Sequence, residues 1–284
     1  MSDQGDIRAA MLSALAWQVE LGADEAIAEE PQDRFAQSQP KAAPVEPATA
    51  PLVKARSEDS PHASPPPRGE EKGGRQVQPG PDSTTLAQRA NTLEELAEAM
   101  RGWEGSPLKE GARNFVFSDG LAGARLMVVG EAPGADEDRV GKPFVGRAGQ
   151  LLDRMLAAIG LSRSDPAPET AVYIANILPW RPPGNRTPSE QEAAMFLPFM
   201  VRHIQLAKPD VILSMGNTPT KALLATGTGI KRMRGTWRRH EATGLPLLPS
   251  FHPAYLLRQP ADKRLAWRDL LAVRQVLDGE APEV

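Results

Sequence analysis

The chain has no cysteine in 284 residues. That absence excludes disulfides, thiolate nucleophiles, zinc–cysteine sites and cysteine-held iron–sulfur clusters. Histidine is nearly as scarce. His62, His203, His240 and His252 are the only four, which leaves little room for a His-rich metal site. No apolar run approaches the roughly 20 residues of a membrane span. Asp3 and Asp6 stand where a secretory leader would carry basic residues. A soluble, cytoplasmic protein is therefore expected. Net charge is also small, at −3, but it is unevenly placed. Residues 1–82 hold 14 of the 36 acidic and 8 of the 33 basic side chains, leaving 22 acidic and 25 basic for residues 83–284. A mildly basic body behind an acidic tail is compatible with a polyanion partner without requiring one.

What is present divides the chain into three. Residues 1–30 contain an expected amphipathic helix over 6–30, with Ile7, Met11, Leu15 and Val19 at spacing four and Leu12, Trp17 and Ile27 widening the apolar face. Such a helix either docks on its own domain, the favoured reading, or binds a protein partner. Residues 31–82 are rich in Pro, Ala, Ser, Gln and charge, a composition too polar to offset the entropy of ordering, so a flexible linker is expected. Residues 83–284 carry the globular pattern. Strands are expected over 125–129, 172–176, 210–215 and 246–251, and helices over 86–101, 147–160, 189–207, 217–225 and 261–278. For helix 189–207 the start signal is Thr187 as N-cap, Pro188 in the first turn and Glu190 three residues after the cap. Strands alternating with helices predict an α/β fold of three layers, αβα, around a four-stranded parallel sheet.

In such folds ligands sit in the crevice beyond the carboxyl ends of the strands, and the distinctive segments all fall there. GEAPGADEDRVGKPFVGRAG (130–149) follows the first strand. It lacks the GK[ST] ending of a phosphate loop, and its glycines do not fit a dinucleotide fingerprint. Gly130 and Gly134 would let backbone approach a ligand closely. Glu131, between a buried strand and a Gly/Pro turn, reads as functional rather than as a surface carboxylate. Asp136, Glu137 and Asp138 are consecutive, so they point in different directions and rarely close one metal site. Phe144 either tacks its loop to the core or offers a stacking platform for a planar ring. Asn176, ending VYIAN, is either a turn-forming amide or a reader of a pyrimidine imide edge, which sets a carbonyl beside an N–H. His252, ending LPSFH, is either structural or an electrophile for a developing oxyanion. KRMRGTWRR (231–239) is either a solvated hairpin or a phosphate-contacting strip, with Arg181, Arg186, Arg258, Lys263 and Arg264 able to extend its rim.

Taken together, GEAPGADEDRVGKPFVGRAGQLLDRML, YIANILPWRPPGNRTPSE, LSMGN and FHPAYLLR resemble the signature motifs of the family 4 uracil-DNA glycosylases. The resemblance spans roughly residues 97–278. It implies a uracil-DNA glycosylase-like sheet between helices. It also implies hydrolysis of the N-glycosidic bond of deoxyuridine in single- or double-stranded DNA, the first step of base-excision repair. By that resemblance Glu131 positions water and stabilises the cation, and Phe144 stacks on uracil. Asn176 reads the uracil edge, Glu137 borders C5 and discourages thymine, and His252 faces uracil O2, with Gly134 also expected against the substrate. The DNA contacts expected are Arg181, Asn185, Arg186, Lys231, Arg234 and Arg258, with a wedge at Tyr255, Leu256 and Leu257. A monomer without metal, nucleotide or redox cofactor is expected.

One departure from the family is large. The resemblance implies a [4Fe–4S] cluster held by four cysteines, and at the matching positions stand Trp103, Ser106, Trp180 and Phe196. A hydrophobic plug is expected there, replacing a staple that lies far from the bond being broken. The KRRIH insertion of covalently trapping relatives is also absent where RPPGNR stands, so turnover rather than a protein–DNA adduct is expected. Two other readings remain: a glycosylase that also takes hypoxanthine or xanthine, and a catalytically silent DNA-binding module tied to a polymerase.

Overall fold

The computed structural model describes residues 82–282. The expected helix over 6–30 and nearly all of the expected linker lie outside them. The elements run α1 (Ser83–Arg89), α2 (Leu93–Gly102), α3 (Leu108–Gly111), β1 (Ser118–Gly120), β2 (Leu126–Gly130), α4 (Ala135–Val140), α5 (Arg147–Ala157) and β3 (Val172–Asn176). They continue with α6 (Glu190–Ala207), β4 (Val211–Met215), α7 (Asn217–Leu224), α8 (Ile230–Met233), β5 (Arg238–Arg239), β6 (Pro246–Ser250), α9 (Pro253–Arg258) and α10 (Lys263–Leu277). One six-stranded sheet has the order β1-β3-β2-β4-β6-β5. Its four central strands are parallel, as expected. Two short antiparallel edges, β1 on β3 and β5 on β6, extend it.

Alternation along the buried strands explains the three layers. Met127 and Val129 join Tyr173 and Ala175 in a core beneath α1, α2 and α6. Leu126 and Val128 join Val172 and Ile174 in a second core on the opposite face, beneath α5 and α10. Both faces are covered, so each central strand reads as a short continuous apolar run.

Local chemistry moved several boundaries. The expected helix 86–101 is two helices, because Ala90 is extended and Thr92 starts a new cap. The Thr92 hydroxyl accepts from Glu95 N at 3.2 Å, and the Glu95 carboxylate accepts from Asn91 N at 2.6 Å. The cap of α6 is Ser189, two residues later than Thr187. Its hydroxyl accepts from Glu192 N, and the Glu192 carboxylate accepts from Ser189 N. Arg186 decides between the two overlapping signals, donating to both oxygens of Glu192 at 2.8 and 2.6 Å. Those hydrogen bonds hold Glu192 down to about 2, against its partial burial.

His203 is buried in the first core, where Phe117 stacks on it at 4.3 Å and the Tyr173 hydroxyl meets its Nε2 at 2.8 Å. Burial pushes His203 down to about 3 and Tyr173 up to about 12. A neutral folded-state histidine contributes stability above the unfolded value of 6.5, and that contribution is lost as pH falls through the window towards 3. At one unit per 1.36 kcal/mol, roughly 3 kcal/mol is lost by about pH 4. His203→Gln should therefore be the less stable protein at neutral pH, with the gap narrowing in acid. Urea midpoints at the two pH values check this.

Candidate active site

The parallel register sets the strand ends side by side, with Gly130 opposite Asn176 and Met215 opposite Ser250. Glu131, Asn176, Gly216 and His252 consequently emerge on one edge of the sheet. Gly130 is required by this closeness. A Cβ there would lie 2.3 Å from Asn176 Oδ1 and 2.6 Å from the Phe144 ring. Gly130→Ala must displace the amide, the ring or both. We expect it to lower the rate of any reaction performed in this pocket at least about tenfold, since misplacements near 1 Å are worth up to 10². Single-turnover kinetics on the substrate proposed below check it.

Phe144 has φ +53, a left-handed conformation that is strained for an aromatic residue. Its turn is held from inside by Glu137, whose carboxylate accepts from Gly134 N, Val145 N and Gly146 N at 3.1, 2.9 and 2.9 Å. Helix α5 abuts the turn so closely that a Cβ on Gly149 would sit 1.8 Å from the Phe144 carbonyl oxygen. The neighbours of Glu137 point elsewhere, as expected of consecutive carboxylates. Asp136 pairs with Arg139, and Asp138 accepts from Arg113 N and Asn114 N. Among the described residues no group of three or more His, Asp or Glu side chains is placed to hold a metal.

His252 caps α9, and its Nδ1 accepts from Ala254 N at 3.1 Å. In the neutral ring this places the proton on Nε2. Burial lowers the imidazole below its ordinary range, Glu131 opposes that shift and Arg258 adds to it. The ring stacks on Phe144 at 5.4 Å with 26° between planes. Glu131 Oε1 accepts from Asn217 N and Thr218 N at 3.2 and 3.4 Å, at the start of α7. Gly216, at φ +101, makes room, because its Cβ would lie 2.7 Å from Glu131 Oε1 and 3.2 Å from His252 Cβ.

Glu131, Glu137, Phe144, Asn176 and His252 line one cavity of about 240 Å³, with Pro182, Arg186 and Pro188 also on its wall. It is smaller than the roughly 300 Å³ at which pockets for drug-sized ligands begin and suits a single small ring. Among the described residues no group pairs with the Asn176 side-chain amide or with His252 Nε2. Both remain available to a ligand.

The expected rim residues divide. Lys231 is exposed on an open cleft with Arg232 and Gly227–Ile230, beside Asn217. Arg258 is exposed at the end of α9. Arg181 donates to Asn185 Oδ1 at 2.6 Å, and Arg186 remains half-exposed while paired to Glu192. Arg234, expected on the rim, turns inward. It is paired with buried Asp269, donates to the Leu265 carbonyl at 2.9 Å and lies over the Phe251 ring. Asp269 also accepts from Ser250 Oγ at 2.7 Å, so this network anchors the end of β6 just before His252. Leu256 is fully buried, and the Tyr255 hydroxyl donates to Asp262 at 2.6 Å. Of the expected wedge, Leu257 has the freer side chain.

Residues 117–271 match the Uracil DNA glycosylase superfamily. The chain belongs to that superfamily. It is 34% identical over 198 residues to the type-4 uracil-DNA glycosylase of Thermotoga maritima, covering 68% of this chain and 98% of the relative. It is 36% identical over 184 residues to the type-4 uracil-DNA glycosylase of Pyrobaculum aerophilum, covering 63% and 91%. A DNA polymerase of Bacillus phage SP01 is 31% identical over 176 residues, which are 18% of that polymerase and 62% of this chain. Within the superfamily the chain is a type-4 member without cysteine.

The cluster that the type-4 resemblance implies does not fit the side chains at its positions. Trp103 and Trp180 meet Phe196 edge-on at 5.3 and 5.7 Å, and Phe199 and Phe115 extend the aromatic packing. Ser106, three residues after Trp103, is buried, its hydroxyl accepting from Leu108 N. No thiolate is available, and the aromatic rings pack against one another there. The expected plug is therefore present as a contiguous aromatic cluster within the first core.

Gly149 and Gly216 lie in segments that the sequence already marks, at the end of GEAPGADEDRVGKPFVGRAG and of LSMG, though their packing roles show only in the fold. Sequence reasoning missed Arg163 as a builder of the site. Arg163 lies in the unmarked loop after α5 and had no such signal.

Proposed function

We propose that this chain is a uracil-DNA glycosylase that hydrolyses the N-glycosidic bond of deoxyuridine in DNA and so opens base-excision repair. The observation that carries the reading is the convergence of an unpaired amide, a tilted aromatic ring and an imidazole with a free Nε2–H in one ring-sized cavity. DNA binds through its phosphates to the exposed basic rim, Lys231, Arg232 and Arg258 foremost. The deoxyuridine rotates out of the stack at a cost of a few kcal/mol, least when it is mispaired or single-stranded. Phe144 stacks on the base, and the Asn176 carboxamide pairs with the imide edge. As the bond stretches, negative charge moves onto uracil O2, where His252 Nε2–H donates. Burial keeps that imidazole neutral, so the donor is present without an added positive charge. Glu131 faces the developing cation and orients the water that attacks the sugar carbon. Its Oε1 is fixed by the start of α7, which holds the carboxylate in place throughout. No step passes through an iron–sulfur cluster.

The test is a labelled oligonucleotide containing one deoxyuridine, incubated with the protein and then treated with alkali. Cleavage at that position, with no protein–DNA adduct on the gel, is expected. An uncut strand overturns the reading. Equal cutting of matched strands carrying hypoxanthine or xanthine would replace it with a broader deaminated-base specificity.

A further inference from the structure

Phe144 can stack on a ligand only if its strained turn holds still, and Glu137 accounts for one side of that turn alone. The other side is held by Arg163. Its Nη1 donates to the Pro143 carbonyl and its Nη2 to the Phe144 carbonyl, both at 2.9 Å. The planar guanidinium fork fits two successive carbonyls in a way that a lysine ammonium does not. The same side chain donates from Nε to Asp153 at 2.8 Å and from Nη1 to Asp119 at 3.2 Å. Lys142 occupies the other oxygen of Asp119 at 2.9 Å. Arg163 is only 11% exposed, so these bonds are poorly screened.

The partners come from separate elements. Asp153 lies on α5, and Asp119 lies on β1 opposite Ile174 of β3. Strand β3 ends two residues later at Asn176. Arg163 thus ties the ring that stacks to the strand whose amide reads the edge. A left-handed Phe is strained and persists only where its surroundings over-determine it. Gly149, Glu137 and Arg163 are those surroundings.

We propose that Arg163 is a positioning residue for base recognition, acting through the Phe144 backbone rather than by touching substrate. The proposal rests on the glycosylase reading and deepens it. The test is a double-mutant cycle of Arg163→Ala with Phe144→Leu in the full chain, with Arg163→Lys as the milder variant. Arg163→Ala should lower the single-turnover excision rate about tenfold or more while KM for DNA changes less than about threefold, because phosphate contacts are untouched. Arg163→Lys should fall between the two. In the Phe144→Leu background the same Arg163→Ala change should cost less than about threefold, since the ring it positions is gone. A loss of equal size in both backgrounds, or none in either, overturns the proposal. Amide hydrogen exchange gives an answer that needs no substrate. Val145 and Gly146 N–H should exchange at least about tenfold faster in Arg163→Ala, with the β2 and β4 amides unchanged. Unchanged protection at Val145 and Gly146 overturns it. Should the wild-type chain leave uracil in place, the glycosylase reading fails while the exchange measurement still decides the role of Arg163.

Discussion

His252→Ala should lower single-turnover excision of uracil by about 10²–10³, the usual effect of removing one donor from a developing oxyanion. Asn176→Ala should lower it by at least about 10², because the pocket then loses the group that pairs with the imide edge and leaves a buried base unsatisfied. Affinity for uracil-containing DNA should change only a few-fold in either variant, since affinity comes mainly from phosphates. His252 also caps α9 through Nδ1. His252→Asn keeps a capping acceptor and should share the rate loss, which separates the donor role from the cap. The pH profile carries the same signature. Protonating Nδ1 would break the bond from Ala254 N, and burial already lowers this imidazole, so the acid limb of the rate should lie below the ordinary value of 6.5. A limb at or above that value, or near-wild-type excision by His252→Ala, would place the chemistry in another pocket.

Trp180→Ala should cost about 3–5 kcal/mol of folding stability, the range for emptying a buried aromatic site. Trp180 is 3% exposed and packs on Phe115 and Phe196, while Trp103 meets Phe196 and Phe199. The cluster joins the segment after α2, the loop after β3 and helix α6 within the first core. Trp180→Phe should cost clearly less, because most of the buried ring is retained. Urea denaturation of the two variants gives the comparison. A loss under about 1 kcal/mol for Trp180→Ala would mean that the neighbouring packing closes the gap.

The fold was legible where burial sets a simple pattern. Strand β3 falls on 172–176 as expected, and the other parallel strands lie within a residue of their expected bounds at every end, because apolar runs of five between turn signals have few alternatives. The two edge strands were not legible. Ser118–Gly120 and Arg238–Arg239 are two or three polar residues long, and only pairing with a neighbour makes them strands. Helix α4 was hidden for a related reason. It is six residues within a Gly-rich motif, and Glu137, a residue of the helix itself, holds its start by accepting from Gly134 N.

The site was legible at the strand ends, where topology alone gathers Glu131, Asn176 and His252. The supports behind them were not. Arg234 and Arg186 look alike in sequence, yet one turns inward onto buried Asp269 and the other sits half-exposed on Glu192. Basic residues in a loop announce their charge and not their direction. Arg163 shows the same limit from the other side, since its partners at Asp119, Pro143, Phe144 and Asp153 become neighbours only in the folded chain.

The most direct measurement of the central claim is a crystal structure of the protein with an oligonucleotide bearing an abasic site and with free uracil. Uracil is expected in the 240 Å³ cavity, its face on Phe144, its imide edge on the Asn176 amide and its O2 towards His252 Nε2. Uracil bound elsewhere, or that cavity filled by a protein side chain while the DNA is engaged, would contradict it.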